Sequence, residues 1–128
     1  GGEMSSGTRA ITLTLDGTQV IAVADGQTLA FDILVVGRET DLQGSSMVKG
    51  FLGGIKNVNG TTALLGPIAT TLNLVDTTGS MPNINVIVEA NDALDALVVR
   101  IESTAPVSND IVWAATVRAA EVRLPTGP

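Results

Sequence analysis

The chain has 128 residues, 7 Lys+Arg against 13 Asp+Glu for a formal charge of −6, and no His, Cys or Tyr. Those absences exclude Ser-His-Asp and Cys-His nucleophilic centres, His/Cys zinc sites, disulfides and tyrosine acid–base chemistry. Five scattered Arg and no basic run argue against a nucleic-acid groove, which needs clustered cations, and no aliphatic run approaches the roughly 18 residues of a membrane span.

A chain of this length supports one hydrophobic core. Residues 1–8 read as a linker or cloning remnant, 9–124 as a single β-sandwich domain and 125–128 as a C-terminal tail. Val (15), Thr (15) and Ile (9) dominate the composition, and these β-branched side chains fit a pleated sheet better than a helix. Alternation and turn signals predict strands, in chain order, at about 9–15, 18–24, 28–38, 46–57, 61–65, 68–75, 83–90, 96–103 and 110–122.

The first two strands end at Asp16-Gly17 and Asp25-Gly26, both read as tight hairpin turns. In the third, Leu29, Phe31, Ile33 and Val35 share one face. Gly50, Gly53 and Gly54 in the fourth predict a bulge or a close backbone approach, and Asn59-Gly60 predicts the next turn. Thr78-Gly79-Ser80, Asn91-Asp92 and Ser108-Asn109-Asp110 mark later turns. Ile84, Val86, Val88 and Ala90 alternate in the seventh strand, Leu97, Val99 and Ile101 in the eighth, and Ile111, Trp113, Ala115 and Val117 in the ninth. Glu89 to Leu97 carries the one helical alternative, a single turn. Short strands with frequent turns describe an all-β, antiparallel β-sandwich, jelly-roll-like in outline.

With 45% hydrophobic and 16% charged residues, this domain has more apolar surface than a small acidic monomer needs. Leu34, Val36, Val98 and Val112 fall on the outward faces of their strands. They are subunit-interface candidates, unless a second sheet of the same chain covers them. A closed homotrimer of sandwiches satisfies both readings.

Among the acids, Glu89, Asn91, Asp92 and Asp95 offer oxygen ligands of the kind Ca²⁺ takes. Their spacing matches no EF-hand, and an Asx-stabilised turn explains them better; no metal or other cofactor is expected. Nothing in the sequence pairs two carboxylates across a cleft as glycoside hydrolysis requires, so no enzymatic activity is expected either. Gly50 to Gly54 lacks the Lys-Ser/Thr and βαβ setting of a phosphate loop. Trp113 alternates with core residues and reads as core. Arg38-Glu39 and Arg118 with Glu121 are candidate surface ion pairs.

The ninth strand carries a more specific signal. Ile111-Val112-Trp113-Ala114-Ala115-Thr116-Val117-Arg118-Ala119-Ala120-Glu121-Val122 resembles the closing strand of a module at the C-terminal end of tailed-bacteriophage tail-fibre and fibre-like virion proteins. Leu29 to Arg38, the Gly-rich strand ending at Asn59-Gly60, and Leu94 to Ile101 resemble its other elements in the same order, so the likeness covers about residues 18–124. The Gly-rich run at Gly50 to Gly54 and the Leu42 to Met47 segment depart from it.

This resemblance implies an all-β, homotrimeric domain on a virion appendage, in contact with other virion proteins and attached to a bacterial surface glycan or protein. It implies no catalytic residues. Loops at Asp41 to Ser46, Asn57 to Thr62 and Asp76 to Asn83 supply receptor-binding candidates: Asp41, Gln43, Asn57, Asn59, Thr78 and Asn83. A decoration or assembly module that stabilises the particle without reading a receptor is the alternative. Few aromatics and abundant aliphatics favour the alternative.

Overall fold

The computed structural model describes residues 7–14, 17–107 and 110–124. Nine strands follow one another: β1 (Gly7–Ile11), β2 (Thr18–Ala22), β3 (Gln27–Glu39), β4 (Ser46–Val58), β5 (Thr61–Leu64), β6 (Ala69–Val75), β7 (Ile84–Asn91), β8 (Ala96–Ser103) and β9 (Ile111–Arg123). All pairings are antiparallel. Six strands form one sheet in the order β1-β9-β3-β4-β5, with β6 also on β4, and three form a second in the order β2-β8-β7. A jelly roll divides eight strands between two sheets; this chain divides nine into six and three.

The alternating pattern predicts these elements because each strand has one apolar face. In β3, every second residue from Gln27 to Glu39 is buried and the others are half-buried or exposed. Phe31, Ile33, Ile55 and Val117 of the large sheet meet Ile21, Val86, Leu97 and Val99 of the small one in a single core. Burial of each such side chain contributes about 1.5–3 kcal/mol. β4 serves two partners along one edge, pairing Met47 to Leu52 with β6 and Ile55 to Val58 with β5.

The glycines of β4 act as expected. The pairing with β6 shifts register between Gly50 and Phe51, and a Cβ on Gly50 would lie 2.5 Å from the Thr71 hydroxyl. A Cβ on Gly53 would lie 2.6 Å from the Phe31 ring. Asn59 and Gly60 have φ of 52° and 81°, the two positive values that a type I′ hairpin between β4 and β5 requires.

Several expectations need correction. Asp25-Gly26 is a turn, but β2 belongs to the small sheet and β3 to the large one, so it carries the chain between layers rather than closing a hairpin. Likewise β1 and β2 lie in different sheets, although residue 16 of the Asp16-Gly17 turn is outside the described residues, as are residues 108–109 of the Ser108-Asn109-Asp110 turn. β1 begins at Gly7, inside the segment read as linker; residues 1–6 and the tail, 125–128, are outside the described residues. Glu89 to Leu97 forms no helix: it is strand to Asn91, a turn, and strand again from Ala96. A 3₁₀ turn at Met81–Asn83, with Pro82 in its first positions, had no sequence signal beyond the preceding Gly.

The proposed ion pairs fail for a simple reason: neighbours on a strand point to opposite faces. Glu39 is buried while Arg38 is exposed. Arg118 instead meets its cross-strand partner Asp32, at 2.8 Å, and Glu121 accepts a hydrogen bond from Gln27.

Trp113 packs against the core as expected, over Gly37 on β3. A Cβ at Gly37 would lie 2.4 Å from the indole Cζ3. Gly37→Ala therefore displaces a half-buried ring, with an expected loss of about 1–3 kcal/mol in urea unfolding; an unchanged midpoint would show that the ring moves freely.

Candidate functional site

The receptor candidates divide between the two ends of the sandwich. β4 starts beside Arg38 and finishes beside Thr28, so the β3–β4 loop lies at one end and the Asn59-Gly60 turn at the other. Thirteen residues at about 3.3 Å each separate them by about 40 Å. Asp41, Gln43, Thr78 and Asn83 belong to the first end; Asn57 and Asn59 belong to the second.

At the first end, three connections converge: residues 40–45, residues 76–83 and, of the β8–β9 connection, Thr104 and Asp110. The Thr40 N–H donates to the Asp110 carbonyl at 3.0 Å, and the Thr104 N–H donates to the Asn83 carbonyl at 2.9 Å. Asp41 Oδ1 accepts from the Gly44 N–H at 3.0 Å, an Asx turn that shapes the loop locally. Ser45 and Thr78 hydroxyls share a hydrogen bond at 2.7 Å, and Asp76 Oδ2 accepts from the Ser46 N–H at 2.8 Å. The result is a loop surface held by polar contacts between segments far apart in sequence.

Glu39 holds this end from beneath, and sequence reasoning missed that role. It is 0% exposed, and its Oε1 accepts from the Ser80 N–H at 2.6 Å. Water does not compete for a buried hydrogen bond, so a Ser80 N–H left without this acceptor would be costly. Gly79 lies against the same carboxylate with φ of 63°; a Cβ there would sit 2.5 Å from Oε2. The only sequence signal was a charged residue on the core-facing alternation of β3, next to Arg38.

Leu42 was passed over as well. It is fully exposed at 104%, beside Gln43 on the rim of the same loop. An exposed leucine at a loop tip costs the free protein nothing in folding and offers apolar area to a partner.

The opposite end is built for stability. Asn57 is 3% exposed; its Nδ2 donates to the Val23 carbonyl at 2.9 Å and its Oδ1 accepts from the Gly60 N–H at 3.0 Å. It ties the residue after β2 to the β4–β5 turn with its side chain buried, whereas Asn59 is exposed.

The four oxygen-bearing residues do not converge. Asp92 Oδ1 accepts from the Thr62 N–H at 2.7 Å, Asp95 Oδ1 accepts from the Thr62 hydroxyl at 2.9 Å, and Asn91 Oδ1 accepts from the Leu94 N–H at 3.0 Å. They join the β7–β8 turn to β5. Glu89 pairs instead with Arg100 at 3.1 Å, and Glu102 pairs with the same guanidinium at 2.8 Å. The Glu89 hydrogen bond, then that of Glu102, holds the Arg100 pKa above its ordinary value. Among the described residues no three His, Cys, Asp or Glu side chains gather as a metal site.

The outward apolar row is real for three of its four members: Leu34 is 41%, Val36 40% and Val112 64% exposed. Val98 is the exception at 4%. It lies on β8, the central strand of the small sheet, flanked by Val20 and Glu89 in register, so neighbours within the chain cover it.

No protein-family profile matches the chain, and no curated protein matches it. Among solved structures the chain is similar to the crystal structure of the Acinetobacter phage vB_ApiP_P1 tailspike protein, with a TM-score of 0.42 and 12% identity over 95% of this chain. The chain spans 21% of that tailspike chain.

Three substitutions separate scaffold from surface. Glu39→Ala strands the Ser80 N–H, and unfolding measurements should register a loss of about 1.5–3 kcal/mol, with faster amide exchange at Ser80. Unchanged exchange there would show that Glu39 does not hold the loop. Asn57→Ala should cost about 1–3 kcal/mol by loss of buried hydrogen bonds. Asn59→Gly, at an exposed position with positive φ, should change stability by only a few tenths of a kcal/mol.

Proposed function

We propose that this chain is a virion structural domain of a phage tail fibre or fibre-like appendage, assembled as a homotrimer, that attaches the particle to the bacterial surface. The observation that carries this reading is the Trp113-x-Ala-Thr-Val-Arg-x-x-Glu-Val string, with Trp113 to Val122 resembling the closing strand of such modules. Those residues lie on β9, between β1 and β3, where a strand's sequence is constrained on both sides by its neighbours.

The loop end supports attachment as the role. Leu42 and Gln43 are exposed on a loop whose backbone is held by polar contacts from Asp41, Ser45, Ser46 and the neighbouring 76–80 segment, and a pre-ordered loop loses less entropy on binding. Several copies on one appendage make weak individual contacts effective, since later binding events become intramolecular. The partner is a surface glycan or protein of the bacterium. The domain acts by binding rather than catalysis: the sequence has no His, Cys or Tyr, and the buried carboxylate of Glu39 is occupied in holding a loop.

The apolar outer row favours a second reading, a decoration or assembly module that stabilises the particle and contacts only other virion proteins. Competition distinguishes the two. Purified domain should reduce adsorption of the phage to its host in a dose-dependent way, and Leu42→Asp with Gln43→Ala should weaken that competition at least tenfold while Asn59→Gly leaves it intact. A domain that never competes, from a particle that falls apart without it, supports the assembly reading and overturns attachment.

A further inference from the structure

We infer that the outer face of the six-stranded sheet is the surface through which copies of this chain pack against one another. This rests on the homo-oligomeric reading above and names the interface that reading requires. Cross-strand register defines the face. Leu34 sits opposite Gly50, which sits opposite Leu72; Val36 sits opposite Val48, which sits opposite Leu74. Leu34, Val36, Leu52, Leu72, Leu74 and Val112 are each at least 40% exposed. They form one contiguous apolar field rather than scattered single residues.

Strand β6 gives the strongest reason that something covers this field. Six of its seven residues are exposed and the seventh is half-buried. Ordering a residue's backbone costs about 1–2 kcal/mol, and inside this chain β6 recovers little of that by burial. A partner over Leu72 and Leu74 would supply the missing apolar contact.

Size and charge both suit a second copy. Strands β3, β4 and β9 have 13 residues each. With β1 and β6 alongside, the face measures about 40 Å by about 20 Å at ordinary strand spacings. That is on the order of the 800 Å² per partner of a standard stable interface. The chain carries a formal charge of −6, which opposes self-association in general. On the outward positions of these strands, however, Asp32 is the one acid among the described residues, and Arg118 neutralises it at 2.8 Å. Arg38 and Lys56, also on outward positions, lie toward the two ends of the face, opposite Ser46 and Thr28, so the charge at its middle is balanced.

The face also has relief, with hollows between its exposed leucines. One hollow beside the Asp32–Arg118 pair is lined by Leu34, Leu72 and three threonines. Another, on the opposite side of the pair, is lined by Leu52 and the alanines at 30, 119 and 120. Leucines beside alanine and glycine positions let the projections of one copy enter the hollows of the next.

The experiment measures solution mass by light scattering across a dilution series for the unmodified chain and for Leu34→Lys, Leu72→Lys and Leu94→Lys. Leu94 is more exposed than either, at 56%, but lies on the β7–β8 turn. The unmodified chain and Leu94→Lys should hold a multiple of the 13.1 kDa chain mass on dilution. Leu34→Lys and Leu72→Lys should fall toward the single-chain mass, or dissociate at concentrations at least tenfold higher. If both stay assembled like the unmodified chain, the interface lies elsewhere and this inference fails while the oligomeric reading stands. If the unmodified chain is monomeric at every concentration, both fail.

Should either lysine variant unfold, alkylation gives the same decision in this cysteine-free sequence. Leu34→Cys should react at least tenfold more slowly with a maleimide at assembling concentrations than when diluted, and Leu94→Cys should react at one rate throughout. Equal behaviour of the two cysteines overturns the proposal.

Discussion

Strand β3 is hydrogen-bonded along its length on both sides, to β9 from Gln27 to Glu39 and to β4 from Thr28 to Arg38. This three-strand unit sets the position of everything else. Because side chains alternate with a period of two, a slip of one residue in either pairing would turn Leu29, Phe31, Ile33 and Val35 from the core to the outside. The cost of exposing four such side chains far exceeds the stability of a small domain per residue, so the register is held by burial as much as by hydrogen bonds. β1 and β6 then attach to the flanks of this unit, and the small sheet covers one of its faces.

Fixing that register also fixes the loop end. Glu39 is the last residue of β3, and the alternation that buries Val35 and Gly37 buries it too. A carboxyl group delivered there needs donors from nearby, and the Ser80 N–H supplies one to Oε1 at 2.6 Å, while the buried Oε2 has no hydrogen-bond partner among the described residues. One buried acceptor thereby draws the segment after β6 against the loop after β3. The exposed residues Leu42 and Gln43 sit on a support whose rigidity comes from a side chain that no partner touches.

The other face of the same unit has the opposite character. The pairs that place Phe31 and Ile33 inside place Leu34 and Val36 outside, where both are exposed on the strand face that also carries Asp32 and Arg38. A composition with 45% hydrophobic and 16% charged residues fits a sheet whose inner face is covered by the small sheet and whose outer face keeps Leu34, Val36, Leu72 and Leu74 exposed. The small sheet shows the contrast. Its outer side carries Arg100 between Glu89 and Glu102, a charged arrangement suited to water.

Strand positions were legible in the sequence because period-two alternation and β-branched content are local properties: all nine strands occur near their expected limits, and Asn59-Gly60 turns where its residue types require. The bulge near Gly50 and the core placement of Trp113 were legible for the same reason. Pairing was not. Asp25-Gly26 has the composition of a hairpin turn, yet its strands separate into two sheets, since a turn's residue types encode local φ and ψ and not which strand lies alongside. Asn57, Glu39 and Val98 looked like surface residues and are buried, and Asp41 and Asn59 looked like parts of one site and lie at opposite ends. Burial of a polar residue and the meeting of distant loops depend on contacts across the fold. The sequence by itself determined an all-β chain whose strands each have one core face, with a few aliphatics on the outer side; only the tertiary structure decided which of those outer residues are covered, as Val98 is, and which stay exposed, as Leu34 is, because that choice depends on how strands separated by tens of residues align.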